Sequence, residues 1–109
     1  MPTPATRRAL TLAALALAAC AQPPDAIAPV AMGDAFAGTT CRDAAALLAT
    51  ERQTLATLSA AQSGAVAGDA IGVLLLGVPL SSVSGGDKAG LIGASKGKIL
   101  ALEARVASC

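Results

Sequence analysis

The sequence predicts an all-α fold, an antiparallel helical hairpin with a glycine-rich apolar turn region, and three observations carry that expectation. Ala44, Leu48, Leu55 and Leu58 recur at helical spacing, with Glu51 and Gln62 on the same stripe and Ala filling much of the rest. Ile92, Ser95, Ile99, Leu102, Val106 and Cys109 alternate steps of three and four, a seam of the coiled-coil kind. One antiparallel register sets Ala44 opposite Val106, Leu48 opposite Leu102, Glu51 opposite Ile99, Leu55 opposite Ser95 and Leu58 opposite Ile92. The same register brings Cys41 to Cys109, although neither cysteine was needed to draw it.

The chain begins with a leader, residues 1–19. Arg7 and Arg8 precede a run from Ala9 to Ala19 that is apolar apart from Thr11 and ends in small residues. This is the layout of a secretory signal helix. It is too short to span a bilayer, which takes about 20 apolar residues. Leu17-Ala18-Ala19-Cys20 resembles the lipobox that ends a bacterial lipoprotein signal peptide. That resemblance implies a diacylglycerol thioether on Cys20, a cut between Ala19 and Cys20, and acyl chains (palmitate among them) that anchor the chain stably in a membrane. Thr6-Arg7-Arg8-Ala9-Leu10 also resembles a twin-arginine signal, with the general secretory route preferred. Ala21 after the cysteine resembles the outer-membrane sorting default, which places the protein on the periplasmic face of the cell outer membrane.

Residues 20–40 follow as an expected lipidated, flexible and disordered tether, because Pro23, Pro24 and Pro29 break any period and Gly33 and Gly38 add freedom. Met32 and the lone Phe36 sit within it. Residues 41–109 form the helical hairpin domain. Thr40 with Asp43 fits a helix-capping pattern, so a helix starts near Cys41. Asp87, in the turn cluster from Ser84, is the expected N-cap of the second helix. Gly77, Val78 and Pro79 are expected to stop the glycine-rich stretch that lies between the paired helices.

Composition restricts function more than it assigns it. Removing Arg7 and Arg8 from the 8 basic residues leaves six against 7 acidic ones, so a nucleic-acid partner is not expected. There is no His, Trp or Tyr, which takes away the usual general base and any aromatic stacking surface. The three cysteines and scattered carboxylates offer no common metal set, and no catalytic residue, cofactor or small-molecule substrate is expected. The nearest approach to a catalytic group is Asp69, flanked by small and apolar residues. It reads as a buried acid with a raised pKa or, in the plainer view, as a helix cap or turn ligand. Ser81, Ser82 and Ser84 lack a partner base, and Gly85-Gly86-Asp87-Lys88 does not meet the phosphate-loop spacing. The chain is not expected to be an enzyme.

With Cys20 lipidated, Cys41 and Cys109 are the remaining thiols, and an oxidising periplasm favours their disulfide bond. Gly64, Gly68 and Gly72 are four apart, and Gly90, Gly93 and Gly97 fall opposite the Ile/Leu seam. Both sets read as smooth helix-packing faces. The second helix is thus expected to pack on two sides, its extra partner being the Gly64 to Leu76 segment or another subunit. The sequence from Asp69 to Asp87, with Lys96-Gly97-Lys98 and Ala101-Leu102, is similar to small proteobacterial lipoproteins. An acidic residue follows Lys-Gly in those relatives, whereas Lys98 stands there in this chain, and the resemblance implies an envelope location without an activity. The expected role is structural or interactive, with a homo-oligomer or an envelope protein as partner besides the membrane. The alternative is a membrane-active glycine zipper that inserts or oligomerises in the bilayer.

Overall fold

The computed structural model describes the backbone of residues 1–18 and 20–109, and side chains outside residues 14–19 and 83. The fold is all-α, with no strand among the described residues. Helix α1, Pro4–Ala18, lies within the expected leader. The expected cut between Ala19 and Cys20 falls on a residue outside those described.

Helix α2 runs from Cys41 to Leu76, 36 residues. It starts where the capping pattern puts it: the Thr40 hydroxyl accepts a hydrogen bond from the Asp43 N–H at 3.1 Å. The helix continues without a break through Gly64, Gly68 and Gly72, so the glycine-rich stretch is the last third of α2 and not a turn region between the helices. Each glycine costs about 1 kcal/mol against Ala. That is insufficient to stop a helix already nucleated, since each further residue adds one hydrogen bond. Gly77 ends it in the left-handed region, φ 74°, with its N–H on the Val73 carbonyl at 3.1 Å. Pro79 then opens a short helix, α3, Leu80–Ser84, which the sequence pattern did not predict. Helix α4 spans Ala89–Ala107 with Lys88 as its N-cap residue. The expected cap Asp87 lies one residue earlier, and its carboxylate still takes the Ala89 N–H at 2.9 Å.

Helices α2 and α4 pack along their apolar stripes. Ala44, Leu48, Ile99 and Leu102 form the buried cluster, with Leu55, Val106 and Phe36 against it. Cys41 and Cys109 are joined by a disulfide. Further along, Glu51 pairs with Lys98 at 3.8 Å, and the Gln62 Oε1 accepts the Lys88 N–H at 2.6 Å. An Arg52 to Glu103 ion pair at 2.9 Å lies on the surface, where such pairs contribute little.

Residues 21–40 depart from the expected disordered tether. Ala21 and Ile27 are buried, Phe36 joins the core cluster, and the Val30 N–H donates to the Gly93 carbonyl at 2.8 Å. Three prolines remove three amide donors and deny this segment a period, but its carbonyls remain strong acceptors. Long side chains from the helices supply the donors. The Lys96 ammonium reaches the Pro24 and Ile27 carbonyls at 2.6 and 2.7 Å, and the Arg105 Nε reaches Thr39 O at 2.8 Å.

Candidate functional site

The densest polar arrangement lies where this packed segment begins. Its inward-facing groups come from the distal half of α2, two turns apart: Gln62 and Asp69, both buried although polar. Buried polar groups must find partners or destabilise the fold. Asp69 finds three. Its Oδ2 accepts from the Ala21 N–H and from the Ser81 hydroxyl, and its Oδ1 from the Ser81 N–H, each at 2.6 Å. Gln62 uses both ends of its amide. Its Nε2 donates to Gln22 O at 2.8 Å and to Asp87 Oδ1 at 3.0 Å, while Oε1 takes the Lys88 N–H. One carboxylate therefore ties the first residue after Cys20 to the start of α3, and one amide ties the second to the start of α4.

The Ser81 hydroxyl, followed by the Ala21 N–H, holds the Asp69 carboxyl below its ordinary value near 3.8, against the opposing effect of burial, with the Ser81 N–H adding to the lowering. This corrects the raised-pKa reading: donors that prefer the anion outweigh desolvation here. A depressed folded-state pKa contributes stability that is complete above the unfolded value and is lost as pH falls through the folded one. Asp69→Asn is therefore expected to lower the thermal midpoint by about 5–10 °C at pH 7. That gap should hold down to about pH 5, narrow below about pH 4, where the carboxylate of the unfolded chain takes up its proton while the folded one is still ionised, and be lost as pH falls through the lowered folded value. Thermal melts of both proteins from pH 2 to 7 read this directly, and a gap that stays constant to pH 2 would refute the ionised, donor-saturated Asp69.

The sequence-predicted positions are distributed unevenly about this cluster. Cys20 directly precedes Ala21, whereas Cys41 and Cys109 close the opposite end of the helix pair. Among the described residues, none lies within 4 Å of a methyl group placed at Gly64, Gly68 or Gly90, so no described helix packs on them. Gly72 packs on the reversal after α2: a methyl group there would stand 2.6 Å from Leu80 Cγ and 2.7 Å from Val78 O. Gly93 and Gly97 do pack, but against the extended backbone at Ala28 and Val30 and not against a helix. A close backbone approach requires the same missing side chain whichever element makes it.

Ser81, Gln62 and Lys96 are the functional contacts that sequence reasoning missed. Only Gln62 carried a signal, as an amide on an apolar stripe. Chemically the cluster holds and orients backbone. Asp69 is enclosed, while the surface grooves of about 250 and 370 Å³ lie along α4, beside Phe36 and Arg105 and beside Val30 and Gly97. No three His, Cys, Asp or Glu groups converge among the described residues. Comparison with protein-family models, with curated proteins and with solved structures finds no match to this chain.

Proposed function

We propose that the chain is a periplasmic lipoprotein anchored in the outer membrane through Cys20, with a structural or protein-interaction role and no catalytic activity. Its mature domain, in this reading, is an antiparallel helical hairpin closed by the Cys41 to Cys109 bond. One observation carries the proposal: Ala21, directly after Cys20, is buried and its N–H is bonded to Asp69. Residues 4–13 of α1 are exposed, and Ala21 is the first buried residue among those whose side chains are described. The lipobox cut was placed by a different pattern of residues, yet it falls at the same boundary. A removable leader needs no contacts with the domain, whereas the residue that starts the mature chain gains by being fixed.

Cys20→Ala is the direct test. Wild-type protein is expected in the outer-membrane fraction, labelled by an alkyne-bearing palmitate, and Cys20→Ala is expected unlabelled with its leader retained. Unlabelled, leaderless wild-type protein in the soluble periplasm would overturn the anchor. The interaction role predicts that crosslinking in intact cells recovers a defined oligomer or an envelope partner. Monomer alone would count against it.

A second reading, insertion of Gly64 to Leu80 in the bilayer, has one observation in its favour: α2 is long and apolar enough to cross a membrane by length and composition. The charge on Asp69, in the middle of that stretch, opposes it. Dye release from vesicles by the acylated protein, lost in Gly68→Phe, would favour insertion over the first reading.

A further inference from the structure

Helix α2 outruns its partner. Its 36 residues extend about 54 Å, whereas the 19 of α4 extend about 28 Å. Past Lys88, the described residues that cover the end of α2 are those of the chain start, the reversal at Val78 and the short α3. What is left there is bare and apolar: Ile71, Leu74, Leu75 and Leu76 are 57%, 83%, 73% and 67% exposed. These four positions span more than half of the helix circumference, interrupted at Gly72, which Val78 and Leu80 cover. Val78 continues the exposed surface beyond the helix end. No charged residue occurs from Ala70 to Gly86, while the α2 to α4 contact carries the ion pairs.

We infer that this tip, Ile71 to Leu80, docks on the lipid surface beside the acylated Cys20, so that the domain stands end-on to the membrane with two contacts. The inference rests on the proposed lipid anchor at Cys20. Its geometric basis is the Ala21 N–H, fixed 2.6 Å from Asp69 Oδ2. Acyl chains on the preceding residue must leave the protein there, and Leu76 lies seven residues, about 10 Å, further along the helix axis. That matches the roughly 5–10 Å to which apolar surface sinks into the headgroup and acyl boundary. A chain start fixed in this way cannot hold the tip far from the bilayer, as a free tether would. Asp69 faces away from lipid, its oxygens taken up by Ala21 and Ser81, and Asp87 is bonded to Gln62 and Ala89.

The chain has no Trp or Tyr, so a single introduced indole reports alone. Leu75→Trp places it on the exposed tip, and Leu47→Trp on the exposed face near the other end of α2. Both proteins are purified from membranes, checked by intact mass for acyl chains on Cys20, and reconstituted in phosphatidylethanolamine and phosphatidylglycerol vesicles with brominated acyl chains. Leu75→Trp should shift to the blue and be quenched about twofold or more, with Leu47→Trp unaffected. An acylated Leu75→Trp protein that escapes quenching overturns tip docking and leaves the anchor standing. A blue shift that follows protein concentration without bromine quenching assigns the tip to a second copy and overturns it too. Absent acyl mass removes the anchor, and tip docking with it.

Discussion

Replacing Cys41 and Cys109 together by Ser is expected to lower the stability of the mature domain by about 4 kcal/mol, from the chain entropy of a loop closed across 68 residues. For a domain of this size that corresponds to a thermal midpoint lower by roughly 20 °C. The effect is large because the apolar core is small. Buried apolar side chains comprise two alanines with Leu48, Leu102 and three isoleucines among the described residues, and a domain of this length has a total stability on the order of 5–10 kcal/mol. The bond also sits where little else holds the chain. Cys109 is the last residue, following the final turn of α4, and Cys41 opens α2. Without it, that turn of α4 is expected to fray, releasing Val106 from the core and the Arg105 guanidinium from Thr39 O. Thermal melts followed by circular dichroism, on the double variant and on reduced wild type, measure the loss. A midpoint within about 5 °C of the oxidised protein would mean that the unfolded chain is already compact across this loop.

The helical character and the apolar stripes of the two long helices are legible in the sequence because helical periodicity is local. Leu48 and Leu102, one from each stripe, share one buried cluster, and Cys41 is joined to Cys109. The path of residues 21–40 is not legible. Those residues have no period, and what seats them is a set of carbonyls capped by side chains from Gln62, Lys96 and Arg105, far along the chain. Lys96 and Arg105 look in sequence like any solvated cation. Asp69 drew attention for its apolar neighbours, yet neither Ala21 nor Ser81 carries a sign that it will donate to a carboxylate. By spacing the glycines form a matched set, and geometry divides them: Gly72, Gly93 and Gly97 meet backbone or Leu80, whereas Gly64, Gly68 and Gly90 meet nothing among the described residues.

That division gives one chemical change two opposite signs. At Gly68 a methyl group meets nothing within 4 Å, so Gly68→Ala is expected to stabilise the isolated domain by about 1 kcal/mol through helix propensity alone. At Gly97 the methyl group falls on the Val30 carbonyl oxygen, with Met32 Cγ 3.3 Å away. The obstructing backbone has little room to yield, because Val30 N–H is bonded to Gly93 O and Ile27 O to Lys96 Nζ. Overpacking of this kind costs about 1–3 kcal/mol or more. After the propensity gain is subtracted, Gly97→Ala should be destabilised by roughly 2 kcal/mol. Hydrogen exchange locates the loss, since protection of the Val30 amide should fall in Gly97→Ala and remain in Gly68→Ala. Were residues 21–40 a free tether, nothing would oppose the methyl group at residue 97, and Gly97→Ala would stabilise the domain as Gly68→Ala does. The sign of that single substitution therefore separates a seated chain start, which end-on attachment to a membrane requires, from a loose one that would let the domain drift.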